Sequence, residues 1–492
     1  MKRILFILLS GIIGTGPTHA QQVVLTLEQT IEIAADSSLQ AFIAQNMYQS
    51  SYWEYRSYRA ARLPSLNLTT TPVQYNRNFI SRYDSENNID VYRQQQSLYS
   101  YAGLSVSQNL DITGGTFFID SRLSYMRNFG DQIYTQFTSI PIRIGYSQSL
   151  FGFNSFKWEK KIEPLKFEKA QKKFLYDKED ISAQATQVFF DLATAQTEYN
   201  MAMDNVTSSD TLYRIGEERF KIMAISQTDL VRLELDALNA RNSLHHAELA
   251  LKRAMFAFVS FLNMEKDAPV RLELPDKPAD LRITIEMALE QANENNPDFL
   301  ENRQQILEAE RNVDQTQKSS IFDASFYATV GFNQVAENFS GAYRNPLQQD
   351  IVSIGFSIPL IDWGVRKGKA NMAKNSLNVA RISVQQKETS LEQDVIMTVN
   401  EFNIQQDLIE RAEVAMQLAN MVYNSTIERF IIGQADINSL TLMLNSQKEA
   451  QINYISALKD YWLSYYKIRK LTLFNFEKQV KITDEFDRIY GF

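Results

Sequence analysis

Little in this chain is spaced for covalent chemistry. Its three histidines are His19, His245 and His246. The last two are adjacent, so on a helix they point about 100° apart and cannot chelate one metal as an i,i+4 pair would. The stretch Gly364-Val365-Arg366-Lys367-Gly368-Lys369 resembles a phosphate loop. It has one residue too few between its glycines, however, and no Ser or Thr follows the lysine. Cysteine is absent, which removes thiol catalysis, thiolate metal sites and disulfides together. No catalytic residue, metal site or cofactor is expected, and function must lie in architecture.

The elements that carry these residues come in two copies. Thr26-Leu27-Glu28 returns as Thr284-Ile285-Glu286, Ser147-Gln148-Ser149-Leu150 as Ser357-Ile358-Pro359-Leu360, and Glu218-Arg219-Phe220 as Glu428-Arg429-Phe430. Each half reads helix, strand, strand, long helix, turn, helix, which predicts two similar units packed around a shared axis. The expected boundaries are a first repeat over 21–266, a linker over 267–283, a second repeat over 284–470 and a tail over 471–492, with linker and tail forming an equatorial belt. The first repeat is longer between its strands. There, Tyr99 to Leu110 and Thr116 to Met126 alternate around Thr113-Gly114-Gly115, an extra β-hairpin near 98–127. Two placements stay open for it, outside a membrane or as two more strands in a wall.

Residues 1–20 read as a signal peptide, with Lys2-Arg3, an apolar run from Ile4 to Ile13, and Thr18-His19-Ala20 before the cut. The formal charge of −8 grows more negative once Lys2 and Arg3 leave, which argues against a nucleic-acid partner. After the signal no apolar run approaches the roughly 18 residues of a bilayer helix. If the exported chain enters a membrane, it does so as a closed β-barrel, because lipid leaves no other way to satisfy strand edges.

Between Pro164 and Pro269 there is no proline and one glycine, Gly216, and after Pro359 there is no proline at all. Such stretches predict long helices, from about Phe156 to Phe220 and from about Arg366 to Phe430, each on the order of 100 Å. The returning helix of the first copy carries an a/d seam through Leu230, Leu233, Ala237, Ala240, Leu244, Ala247, Leu251, Ala254, Phe258 and Phe261, the pattern of a coiled coil. The second copy keeps it through Leu440, Met443, Ala450, Tyr454, Ala457, Tyr461 and Ile468, with Gln447 and Ser464 intruding. Strands show a period of two. Ile140, Ile142, Ile144 and Tyr146, or Val352, Ile354 and Phe356, alternate with small or polar residues, and aromatics such as Tyr134, Phe151 and Trp363 lie near the strand ends. A soluble sheet packed on one side predicts the alternation, and so does a lipid-facing barrel wall with a wet interior. Basic clusters start both long helices, Lys157, Lys160 and Lys161 in one and Arg366, Lys367 and Lys369 in the other. Lipid headgroups or plain solvent account for them equally.

In the order and spacing of these duplicated segments the chain resembles the TolC family of outer membrane efflux proteins. The carriers are the two Thr-x-Glu helix starts, the corners Ser149-Leu150-Phe151-Gly152 and Pro359-Leu360-Ile361-Asp362-Trp363-Gly364, and the turns after Phe220 and Phe430. The resemblance implies a mainly α protein with a β-barrel portion: a homotrimer whose long coiled-coil helices form an α-barrel in the periplasm below a transmembrane β-barrel of twelve shared strands, four from each copy. It further implies an outer membrane exit duct for efflux or type I secretion. The duct would work passively with a periplasmic adaptor and an inner-membrane pump. The rival is a soluble periplasmic coiled-coil adaptor or binding protein, against which two complete copies speak.

The family's tips dock on the adaptor through a small apolar patch, here Ile222, Met223, Ala224 and Ile225 with Ile432, Gly433, Gln434 and Ala435. Gly433 suits the left-handed residue that ends a helix, and Met223 in its place predicts a less relaxed or differently shaped first turn. Thr228 and Asp229 match the family's gate positions, whereas Phe430 stands for a tyrosine, Ala435 for an arginine, and Ser439 and Leu442 for two aspartates. The expected gate packs apolar groups around Phe430 and Leu442, with any acidic ring supplied by Asp229 or Asp436.

Overall fold

The computed structural model describes residues 23–129, 133–265, 269–276, 281–320, 322–484 and 486. The expected signal peptide, and parts of the linker and of the tail, lie outside them. In chain order the elements are β1 (Val23–Leu25), α1 (Leu27–Ser37), α2 (Leu39–Ala60), β2 (Ser65–Asp84), β3 (Ile89–Asn109), β4 (Thr116–Asn128), β5 (Tyr134–Ser149), α3 (Ser155–Lys221), α4 (Gln227–Phe261), β6 (Val270–Leu272), α5 (Ile285–Asn295), α6 (Pro297–Ser319), β7 (Asp323–Ala336), a 3-10 turn (Gly341–Tyr343), β8 (Leu347–Ser357), α7 (Val365–Ile431), α8 (Ile437–Thr472), β9 (Phe474–Asn475) and β10 (Val480–Lys481). No described helix is long and apolar enough to cross a membrane.

Local chemistry sets the helix boundaries. Thr26 caps α1 in a reciprocal box with Gln29, and Thr284 caps α5, so the repeated Thr-x-Glu segments do start helices. Ser38 interrupts α1 and α2 in extended conformation, and its Oγ accepts from Ala41 N–H at 3.1 Å. In the second copy Asn296, ahead of Pro297, makes the same break, since the residue before proline avoids the helical region. The two long helices, α3 and α7, are each 67 residues.

Two compact units emerge. The first comprises the described residues among 1–47, 172–296 and 392–492. Phe189 and Phe190 of α3, Phe258 of α4, Phe402 of α7 and Tyr461 and Tyr465 of α8 are fully buried in it, each burial worth on the order of 2 kcal/mol. Arg469 of α8 pairs with the buried Glu179 of α3 at 2.8 Å and lies over the rings of Tyr465 and Tyr466. The α4 seam is realised: Leu233, Ala237, Ala240 and Phe258 are buried and its other members half-buried. In α8 the intruding Gln447 donates to Asn420 Oδ1 at 2.8 Å and Ser464 Oγ to Tyr461 O at 2.9 Å, so both polar interruptions are satisfied. The linker strand β6 pairs in parallel with β1, and β9 and β10 form a small antiparallel pair.

The second unit, residues 48–171 and 297–391, contains a six-stranded antiparallel sheet in the order β2-β3-β4-β5-β7-β8. The sheet thus has six strands in one copy, where the resemblance implies four in the barrel wall. The extra hairpin is β3 and β4, and it is an integral part of the sheet because β3 pairs with β2 on one side and β4 with β5 on the other. Pro141 sits where β5 shifts register against both neighbours, as a strand proline must at a bulge. Residues 89–96 of β3 pair with β2 alone, so the ends of these two strands continue past the other strands as a two-stranded ribbon.

Candidate gate at the helical tips

Each helical hairpin of the first unit turns through the same motif. Ala224 N–H donates to Arg219 O at 2.8 Å and Met223 N–H to Phe220 O at 2.9 Å. In the second copy Gln434 N–H donates to Arg429 O at 2.8 Å and Gly433 N–H to Phe430 O at 3.0 Å. The left-handed position is Gly433, with φ of 81°, in one tip and Met223, with φ of 55°, in the other. The first turn thus has the shape of the second and carries a methionine where glycine is unstrained, at a cost on the order of 1 kcal/mol. Met223 is 93% exposed and Ile222 and Ile432 are also exposed, while Ile225 and Ala435 are half-buried.

The carboxylates expected to line a ring are engaged locally. Asp229 Oδ2 accepts from the N–H of Ser226, at 3.2 Å, and from its hydroxyl, at 2.7 Å, while Ser226 Oγ accepts from Asp229 N–H. Asp436 Oδ1 accepts from Ser439 N–H at 2.7 Å. The bonds from Ser226 hold the Asp229 carboxyl below its ordinary range, and that from Ser439 does the same for Asp436. They cap α4 and α8. Thr228 and Ser439 side chains are exposed, Leu442 is 60% exposed, and Phe430 is 5% exposed. Within one copy Phe430 is therefore buried while Leu442 presents most of its side chain to the surface.

What covers Phe430 is Arg219, a residue noted in sequence only as a repeat marker. Its Nη2 donates to Phe430 O at 3.2 Å and Ile431 O at 2.6 Å, and its guanidinium lies 5.5 Å from the Phe430 ring centroid. One cation thus ties the end of α3 to the last carbonyls of α7, where the helix dipole favours positive charge. The equivalent Arg429 looks the same in sequence, so nothing there singles Arg219 out.

Behind the tips the two hairpins are separated by a crevice of about 250 Å³ with a mixed lining and a more polar one of about 490 Å³, which share Asn205, Ser208, Tyr423 and Leu444. Asp236 lines the smaller, and burial pushes its carboxyl up. Burial also raises the Tyr423 phenol. Gly216 is buried in α3 directly against Leu233 of α4, whose side-chain end a Cβ at this position would displace. His245 and His246 are both exposed on α4. The glycine-lysine loop is a corner in which Asp362 accepts from Gly364 and Arg366 N–H and opens α7.

Residues 288–472 match the family model described as outer membrane efflux protein. No curated protein matches in sequence. Among solved structures the chain is similar to the CmeC outer membrane channel of Campylobacter jejuni, at 14% identity and a TM-score of 0.64 over 93% of this chain and 89% of that one. It is similar to the outer membrane protein VceC of Vibrio cholerae, at 13% identity and 0.64 over 91% and 95%. The MtrE outer membrane channel of Neisseria gonorrhoeae matches at 14% and 0.60 over 91% and 88%. Residues 288–472 thus match the outer membrane efflux protein family, and about nine-tenths of the chain shares the fold of solved outer membrane channels.

Proposed function

We propose that this protein is the outer membrane exit duct of a tripartite efflux or type I secretion system: a homotrimeric, passive, water-filled channel that opens at its periplasmic helix tips and performs no chemistry. The family match and shared fold support the channel class. The observation that carries the reading is the pair of apolar stripes one copy leaves uncovered. On α4, Val231, Leu235, Leu238, Leu249 and Phe256 are exposed at near-heptad spacing, and on α7 so are Met397, Ile404, Leu418 and Met421. A second seam on a helix that already has one asks for neighbouring helices, which further copies supply. Exposed Phe151, Leu360 and Trp363 at the strand-to-helix corners suit a membrane interface.

In this reading Ile222, Met223, Ala224 and Ile225 with Ile432, Gly433, Gln434 and Ala435 meet a periplasmic adaptor, which links the duct to an inner-membrane pump. The gate comprises Thr228, Asp229, Phe430, Asp436, Ser439 and Leu442. Arg219 joins them as the residue that holds the tips of one copy together. Reconstitution in planar bilayers tests the proposal: the purified protein gives discrete ion-current steps. A protein that stays monodisperse without detergent and passes no current refutes it.

A further inference from the structure

The sheet carries information that neither the resemblance nor the duplication contains. Its cross-strand pairs fall into rows running from edge to edge. One row is Leu66, Val106, Ile119, Ile144 and Val330, ending on Asp350. The next is Asn67, Ser105, Asp120, Arg143, Gly331 and Gln349. The apolar row shares a face with the pair Leu68 and Leu104 and with Val352, Ile354 and Phe356, all strongly exposed. The polar row shares the other face with Ser107 and Tyr101, and there Arg143 makes a bidentate pair with Asp120 at 2.9 and 2.8 Å. A charged pair of this kind belongs on the wet side of a wall. The same division continues through β3 and β4, where Ala102, Leu104 and Val106 with Phe117, Ile119 and Leu123 hold the apolar face and Ser105, Ser107, Asp120, Arg122 and Ser124 the other, with Ser100 and Ser121 interrupting the first face and Phe118 and Met126 the second. With 21 and 13 residues, these strands exceed the roughly 9–11 needed to cross hydrocarbon.

Both edges of the sheet are open. Among the described residues the outer edges of β2 and β8 pair with nothing. The two strands run in opposite directions, since six antiparallel strands lie in line, and on both the even-numbered residues Leu66, Leu68, Ile354 and Phe356 occupy the apolar face. An open edge in lipid is untenable, because its N–H and C=O groups have no partner there. We propose that β8 of one copy pairs antiparallel with β2 of the next, even residue opposite even residue, and that all six strands of each copy cross the membrane. Resting on the trimer proposed above, this makes a closed barrel of eighteen strands, six from each of three copies. Its circumference is about 1.5 times that of a wall with four strands per copy, a size class that keeps an aqueous lumen. The duct is thus suited to bulkier cargo at its outer mouth.

The chain has no cysteine, so introduced thiols report without background. In outer membranes, Leu68→Cys combined in turn with Val352→Cys, Ile354→Cys and Phe356→Cys should give, on oxidation, inter-copy cross-links for at least one pair and a ladder ending at the trimer. The within-sheet pair Leu66→Cys with Val106→Cys serves as the folding control. A ladder that stops at the dimer keeps the edge pairing and refutes three copies, while a reactive control without any inter-copy product refutes the pairing. Nitroxides at Leu104→Cys and Leu123→Cys should collide with oxygen and be shielded from a water-soluble relaxant, and those at Ser105→Cys and Ser124→Cys the reverse. Water exposure at all four positions would place β3 and β4 outside the membrane and overturn the wider barrel.

Discussion

Arg219 shows how one side chain can set the resting state of a tip. A guanidinium that donates to two carbonyls at a helix C-terminus and covers an aromatic ring makes charge-assisted bonds that a partly exposed site discounts to on the order of 1 kcal/mol. Arg219→Met should therefore raise channel open probability several-fold in bilayer recordings, with Arg219→Lys in between, because a lysine keeps the charge and loses the fork. Unchanged openings in Arg219→Met, alongside increased openings in Arg429→Met, would assign the clamp to the wrong copy. Asp229 and Asp436 act differently. Each caps its own helix, so in the proposed gate they act through the stiffness of the first turn of α4 and α8.

At the scale of the element, the hairpins are bound loosely near the tips and firmly further along, and the difference lies in which residues meet. Asn205, Ser208, Asn239 and Asn445 leave a crevice, whereas Phe402, Tyr461 and Tyr465 fill a core. A seam that leaves open space between its side chains resists separation less than a close-packed one, because fewer apolar contacts are lost on opening. Asp236 makes the seam sensitive to pH. Burial raises its carboxyl pKa, so packed hairpins are stabilised below the ordinary carboxylate range and lose that stabilisation as pH rises through the raised value. Arg232 on its own helix opposes this shift, and Tyr423 faces it from α7. The caps run the other way. Their depressed carboxyls stabilise the tips above the ordinary range and fail as pH falls through the lowered values. Amide protection factors across 205–212 and 437–445, taken relative to the intrinsic exchange rate at each pH, should then peak between the lowered values of the caps and the raised value of Asp236, and Asp236→Asn should abolish the fall on the alkaline side while leaving the acid limb in place.

For the molecule as a whole, a buried ion pair joins α3 to α8 through Glu179 and Arg469. Glu179 is 6% exposed, so removing its partner strands a carboxylate among aromatic rings. Arg469→Met should cost about 3 kcal/mol and lower the unfolding temperature, and adding Glu179→Met should recover most of the loss, since an apolar pair replaces a buried ion pair at little net cost. A double variant no more stable than the single one would show that the pair is not the source. The two copies also diverge here as wholes. The first gives four strands to the six-stranded sheet and the second two, yet both keep a 67-residue helix and an identical tip motif.

Periodicity and punctuation determined much of this protein before any coordinates. The proline-free stretches became α3 and α7, the spacing of Leu233, Ala237 and Ala240 became the α4 seam, and alternation around Ile144 and Val330 became the sheet, because each of these is a local preference repeated along the chain. Three things were decided only in the tertiary structure. The place of β3 and β4 depended on pairing partners far away in sequence, and alternation alone fits a wall strand and a free hairpin equally well. The shared shape of the tips depended on backbone hydrogen bonds that accept Met223 as well as Gly433. The role of Arg219 depended on which helix end lay beside it, since a side chain's function is set by a neighbour that the one-dimensional order does not name.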